Sequence, residues 1–394
     1  MKRSRRIFLV VSLALMLPIL SGTVFRTVAD SKDAGEDSLY KYLDVFTDIL
    51  SLVRRAYVEE TTLDDLVAGA MHGASDALDP LSTYVPEEAA GRYTGVREIG
   101  NRLSGLTIAK ERGIAYVVAV ENGSPAETAG IEGGDVLAKI GSDSTRLLPL
   151  WRIHEEFASE PGRTLEVEIL REGEPTAVSI ELADYAVPDT TLSEQDGVSI
   201  LRLHRLDGEA VQQVTDHLAA LRDQGQDKLL VDLRGLAGGS AEASFALGEL
   251  FASGVMGELK NAEGTVEQFE ATDEPAWNGE LVVLIDRGSQ GASEILAVLL
   301  QQAADAQLVG QPSFGHAGRQ TVVSLSDGSL LVLTDAYYAG PDGELINQAL
   351  SPDLEVTQRT RSFGEQDVPL DELTIDRGIQ LLLGAIEEPA EAVA

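Results

Sequence analysis

Three side chains in one stretch could carry out covalent chemistry together. They are the hydroxyls of Ser289 and Ser293 and the imidazole of His316, within LVVLIDRGSQGASEILAVLLQQAADAQLVGQPSFGHAGRQ at positions 281–320. A serine attacks a carbonyl when a neighbouring base accepts its proton. An imidazole titrates near neutrality and can be that base, so a Ser289–His316 pair is one arrangement open to this stretch. Spacing works against the other hydroxyl. Apolar Ile295, Leu296, Leu299 and Leu300 predict a helix beginning at Ala292, and positions two apart on a helix do not face each other. Ser293 then points away from Gly291 and serves as an N-terminal helix residue whose hydroxyl satisfies backbone donors. Gly291, between the two serines, has no side chain, and the last lysine of the chain is Lys260. The five histidines (His72, His154, His204, His217, His316) lack metal-ligand spacing. Neither a phosphate loop nor a dinucleotide fingerprint is present, so no cofactor and no metal site is expected.

The surrounding pattern predicts the elements that must position these residues. Leu229-Leu230-Val231-Asp232-Leu233-Arg234 reads as a buried strand running into Gly235-Leu236-Ala237-Gly238-Gly239, a tight strand–helix turn that needs glycine conformations. Val198 to Leu203 alternates like a strand, Gly208 to Gln224 reads as a helix, and Leu370 to Leu383 as a closing helix. Further upstream, Ser38 to Tyr93 carries apolar residues at three- and four-residue steps and is predicted helical, with Asp79-Pro80-Leu81-Ser82-Thr83-Tyr84-Val85 at its end. Between these regions, small residues at Ala126, Ala129 and Gly130 suit a short helix packed tightly on a strand, and Gly133-Gly134-Asp135 suits a turn.

Laid end to end, these motifs resemble the carboxyl-terminal processing peptidases, or tail-specific proteases, over roughly residues 39–356. The family's SASASEI becomes Ser289-Gln290-Gly291-Ala292-Ser293-Glu294-Ile295 and its TFGKG becomes Ser313-Phe314-Gly315-His316-Ala317. The resemblance implies a serine nucleophile at Gly291, a lysine base at His316, and a base-positioning glutamine at Gln320. No catalytic dyad is intact, which leaves Ser289 and Ser293 as rescue candidates. The turn that resembles LDLRxNPGG implies an oxyanion hole from Gly238 and Gly239, with the Ala292 N–H as second donor, and backbone donors survive the loss of side chains. DPHSxYL, TTARYY, PSG and xPD have counterparts at Asp79–Val85, Thr334–Tyr338, Pro341–Gly343 and Ser351–Asp353. Residues 97–184 resemble a PDZ domain, on Ser104-Gly105-Leu106-Thr107-Ile108, Tyr116–Val120, Ser124–Ile131 and Gly133–Leu137. A PDZ domain holds a peptide C-terminus by strand addition, which implies peptide binding at Leu103, Ser104, Gly105, Leu106, Thr107 and Ile108. The implied fold is an α/β core of the ClpP/crotonase-like peptidase type with an inserted PDZ domain and an N-terminal helical segment. The expected divisions are 1–29, 30–96, 97–184, 185–386 and 387–394, the last a disordered acidic tail.

Charge and the N-terminus narrow the setting. The formal net charge is −35, from 30 basic and 65 acidic residues. That balance argues against nucleic acid, whose binding is driven by neutralising phosphates, and against anionic membrane surfaces. Residues 1–29 combine Lys2, Arg3, Arg5 and Arg6 with an apolar run from Ile7 to about Leu20, the pattern of a secretory signal or a short anchor. The expected location is periplasmic or the outer face of the cytoplasmic membrane, and the absence of cysteine is compatible with it. Three functions stay open: an exported pseudopeptidase binding polypeptide C-termini or a partner protein, an active serine peptidase with a rebuilt Ser–His site, and a regulatory subunit of an active paralogue. Self-association as a homodimer is likewise left open.

Overall fold

The computed structural model describes residues 40–93, 101–357 and 368–386. The expected signal segment 1–29 and the acidic tail 387–394 lie outside the described residues. The chain forms two compact units, Met1–Ala70 and Met71–Ala394. The described part of the first holds a helix over 40–56 (α1) and the start of Leu63–Asp76 (α2). Among the described residues no helix is long and apolar enough to cross a membrane. The expected helical run to Tyr93 is interrupted. Thr83–Val85 is a strand (β1) that pairs antiparallel with Leu330–Val332, and the helix resumes at Glu87–Tyr93 (α3). Tertiary pairing overrides local propensity here, because the β-branched and aromatic Thr83, Tyr84 and Val85 all become buried.

A five-strand sheet with one added short strand follows, of the PDZ type. Its members are β2 (Leu106–Glu111), β3 (Ile114–Val120), β4 (Val136–Ile140), β5 (Asp143–Ser144), β6 (Thr164–Arg171) and β7 (Glu174–Glu181). The order is β2-β3-β4-β6-β7, with β5 on β4. Ser124 caps the short helix Pro125–Thr128 (α4) by accepting from Glu127 N, and Leu150–Phe157 (α5) closes the domain core with Ile153 and Phe157.

The larger core is a six-strand sheet ordered β17-β14-β13-β10-β9-β8. It comprises β8 (Thr190–Gln195), β9 (Val198–Leu203), β10 (Lys228–Asp232), β13 (Glu280–Ile285), β14 (Gln307–Gly310) and β17 (Leu354–Glu355). All neighbours are parallel except the edge strand β8. Parallel strands buried on both faces read as nearly continuous apolar runs, and successive residues divide between the faces. Leu229, Val231, Val283 and Ile285 pack with helices Gly208–Asp223 (α6), Ala241–Gly248 (α7) and Ala292–Ala303 (α8). Leu230, Val282 and Leu284 pack under Leu370–Leu382 (α9). Beside this sheet, β11 (Gly254–Asn261), β12 (Gly264–Ala271), β15 (Gly318–Ser324) and β16 (Leu330–Ala339) join β1 in a second layer.

Charged groups fix the joints. Asp232 is buried against Arg234 through Nε at 2.8 Å and Nη2 at 2.7 Å, and Arg234 Nη1 reaches Asp371 O at 2.8 Å, tying α9 to the sheet. Burial would raise the Asp232 pKa, yet Arg234 and then Arg202 outweigh it and hold the carboxyl below its ordinary range. Glu294, fully buried on the first turn of α8, makes the second joint. Its Oε2 accepts from Gly291 N and His316 N, both at 2.9 Å. Its Oε1 accepts from Ser313 Oγ and from Gly315 N at 2.5 Å. Two loops 22 residues apart in sequence are clamped on one carboxylate. Burial raises the Glu294 pKa and these donors only partly offset it.

Glu294→Gln puts an NH₂ where two donors already point. It is expected to lower the unfolding free energy at pH 7 by about 2–3 kcal/mol, read as a fall in urea midpoint at constant slope. Because the folded pKa is raised, the carboxyl's contribution is complete below the unfolded value and declines as pH rises through the folded one. The glutamine variant should lose that component of the pH profile. An unchanged midpoint would contradict the clamp.

Candidate active-site cleft

The β13–α8 turn delivers Gly291 to the floor of a cleft of about 240 Å³ whose walls include Gly238, Gly239, Ala292, His316, Arg319 and Gln320. Gly291 sits at φ 65°, ψ −109°, just before the first residue of α8. The left-handed φ disfavours any residue with a Cβ. Space does not: a Cβ built there would meet nothing nearer than His316 O at 4.0 Å. The position has room for a side chain and holds none.

Both flanking hydroxyls are committed elsewhere. Ser289 Oγ is fully buried, donates to Leu233 O at 2.9 Å and accepts from Asp286 N at 3.1 Å. Ser293 Oγ is equally buried and donates to Leu236 O at 2.7 Å and Gln290 O at 3.2 Å. This corrects the expectation that Ser293 satisfies donors at the helix start, since it satisfies carbonyls. Gly291 N is instead taken by Glu294, which is half of a capping box. Neither serine lines the cleft, and no Ser, Thr, Cys or Lys does so among the described residues. Tyr338 is the one hydroxyl on the wall, and burial followed by the charge of Glu242 raises its pKa, which keeps it protonated.

His316 is buried on the opposite wall, with Nε2 3.8 Å from Asp79 Oδ1 and 3.4 Å from Thr334 Oγ1, and Nδ1 3.4 Å from Tyr337 OH. Asp79 is held in turn by Leu81 N at 2.9 Å and Ser82 N at 2.8 Å. Burial and then the Asp79 charge push the Tyr337 pKa up. Gln320 reaches the same cleft from β15, just past an irregularity in the β15–β16 pairing at Arg319/Gln320. Arg319 is paired bidentately with Asp335, Nε and Nη2 each at 2.9 Å.

Two backbone turns border this floor. Gly238 and Gly239, at φ 118° and 99°, turn the chain from β10 toward α7, which Ser240 caps by accepting from Ala243 N. A Cβ on Gly239 would lie 2.5 Å from Leu206 Cβ, so only glycine fits. An isolated parallel bridge between Ala237 and Gln290 brings this turn beside Gly291. Among the described residues no acceptor takes the Gly238, Gly239 or Ala292 N–H. Ala292, at the first helical position, has no partner within the helix either.

The expected peptide-binding run does not line the cleft and is closed. Leu103, Ser104, Gly105, Leu106, Thr107 and Ile108 are all buried. Gly105 N donates to Asn101 O at 2.7 Å and Leu106 N to Ser104 Oγ at 3.1 Å, so two loop amides expected to face a peptide carboxylate face the domain itself. The β2 edge rests on the larger core. Lys110 N donates to Pro80 O at 3.0 Å, Thr107 Oγ1 to Ala237 O at 3.4 Å, and Ala109 and Val118 pack on Leu81. Sequence reasoning did not single out Glu294, Asp79 or Arg319. The signals were in motifs already read: Glu294 is the acidic residue of the SASASEI counterpart, and Asp79 opens the DPHSxYL counterpart.

Residues 197–356 match the model of peptidase family S41 and residues 103–182 that of the PDZ domain. The chain is 30% identical over 345 residues to the carboxy-terminal-processing protease of Bartonella bacilliformis, covering 82% of this chain and 77% of that protein. It is 26% identical over 363 residues to carboxy-terminal processing protease CtpA of Bacillus subtilis, covering 88% and 76%. Among solved structures, the photosystem II D1 C-terminal processing protease superposes with a TM-score of 0.65 at 22% identity, covering 79% of this chain and 92% of that one, which speaks to the fold. The matches to the peptidase family S41 and PDZ domain models, with 30% identity across most of both chains, place the chain in the carboxyl-terminal processing protease family, peptidase family S41.

Proposed function

We propose that this chain is an exported pseudopeptidase, periplasmic or held on the outer face of the cytoplasmic membrane, that binds polypeptide C-termini or a partner protein without cutting them. The observation that carries the reading is the cleft wall. It offers no Ser, Thr, Cys or Lys among the described residues, and Ser289 and Ser293 spend their hydroxyls on Leu233 O and Leu236 O. Peptide cleavage needs an atom to attack the carbonyl, and loss of a serine nucleophile costs on the order of 10⁶ in turnover. An imidazole beside a carboxylate at His316 and Asp79 has no serine, threonine or cysteine to activate on that wall among the described residues. Polypeptide binding is separable chemistry. A PDZ domain captures a strand through its sheet edge, and here capture requires β2 to come away from Pro80 and Ala237.

A fluorophosphonate probe should leave the purified protein unlabelled, and an unfolded casein substrate should remain intact. Labelling or cleavage that disappears in Ser289→Ala or His316→Ala would overturn the reading. The double variant Gly291→Ser with His316→Lys should acquire the label, since the vacated space accepts a Cβ. Its φ of 65° should make that variant less stable by about 1–2 kcal/mol.

A further inference from the structure

We infer that the vacated cleft binds the C-terminal carboxylate of a polypeptide whose last side chain is apolar, with the carboxylate held between the amides of the Gly238–Gly239 turn and of Ala292. This inference deepens the non-cleaving reading and rests on it, because the ligand takes the space that a serine side chain would occupy. Charge is the first support. Acidic residues make up 65 of 394 positions, yet none lines this cleft among the described residues, while Arg319 does. The neighbouring hollow on the other side of His316 shows that the exclusion is local, since Asp76, Asp79 and Glu111 line it. Glu294 lies behind the Gly291 turn, outside the lining, and donors occupy both of its oxygens.

Donors are the second support. Amides from two separate elements, the Gly238–Gly239 turn and the start of α8, border one cavity without an internal acceptor among the described residues. They are fixed by packing against Leu206 and by the Ala237–Gln290 bridge, so no ordering is required when an anion arrives. In a hydrolase such donors meet a tetrahedral oxyanion formed by attack. With no attacking atom at Gly291, the same donors can accept a planar carboxylate, one oxygen toward each element. Arg319 adds positive charge at the rim, its Nη1 free of any acceptor among the described residues while Asp335 steers the rest of the guanidinium.

Shape supplies the third support. The cavity is about 240 Å³, below the roughly 300–1,000 Å³ usual for whole small-molecule ligands. Its apolar wall is built from Leu81, Ala241, Ile295, Ala317 and the ring of Tyr338. One apolar terminal residue with its carboxylate suits that size and lining.

The test compares a fluorescein-tagged glycine–serine octapeptide ending in leucine, as free acid and as carboxamide, on the full chain by anisotropy. A fluorophosphonate label is run on the same sample. The free acid should bind roughly tenfold or more tightly than the amide. Ala292→Pro deletes one donor at the first helical position, where proline is tolerated, and should weaken the free acid more than the carboxamide, so that the acid-to-amide preference falls. As an independent readout on the unaltered chain, a free-acid peptide ending in photoleucine should crosslink to Ile295, Ala317 or Tyr338. Equal binding of acid and amide, or crosslinks confined to residues 103–118, would overturn the inference and leave the non-cleaving reading standing. Labelling by fluorophosphonate would instead overturn the reading beneath it.

Discussion

The Glu294 carboxylate is the constraint on which the cleft depends. It takes four donors from two loops, and these loops carry Gly291 on one side and His316 on the other. A buried carboxylate with fewer partners would be too costly to keep. With all four it stabilises the relative position of the two walls more firmly than either loop could alone. The distance across the cleft is therefore set by a group that takes no part in any reaction there.

That separation of support from chemistry means that the shape of the cleft does not depend on a reactive side chain. The floor consists of backbone: glycine turns at Gly238 and Gly239, the bridge from Ala237 to Gln290, and the first amides of α8. The two neighbouring serines contribute to the same framework, each bonded to a carbonyl of the β10 loop. They are structural hydroxyls. Nothing in the packing of Leu229, Val231, Val283 or Leu296 requires a nucleophile or a base in the space above.

Much of this was legible in the sequence where periodicity or a turn motif reported directly on burial. Val198–Leu203 forms the strand its alternation predicts, and the apolar runs of β10 and β13 read as buried because both faces are covered. The family resemblance located Gly291, His316 and Gln320, and all three line one cleft. Sequence was silent where long-range pairing decides. Thr83–Val85 became a strand because Leu330–Val332 lies beside it, and a helical pattern upstream carried no trace of that partner. The hydrogen-bond directions of Ser289 and Ser293, and the seating of the β2 edge on Ala237, likewise depend on residues far away in the chain.

Gly291 also sets a cost on any other residue at the head of α8. At φ 65° a glycine relaxes without steric conflict, whereas any L side chain installed there starts with a conformational penalty. A serine substituted there would bear that penalty at once, although the space around its Cβ is open. The turn thus selects its occupant through the backbone alone, favouring the residue that has no Cβ.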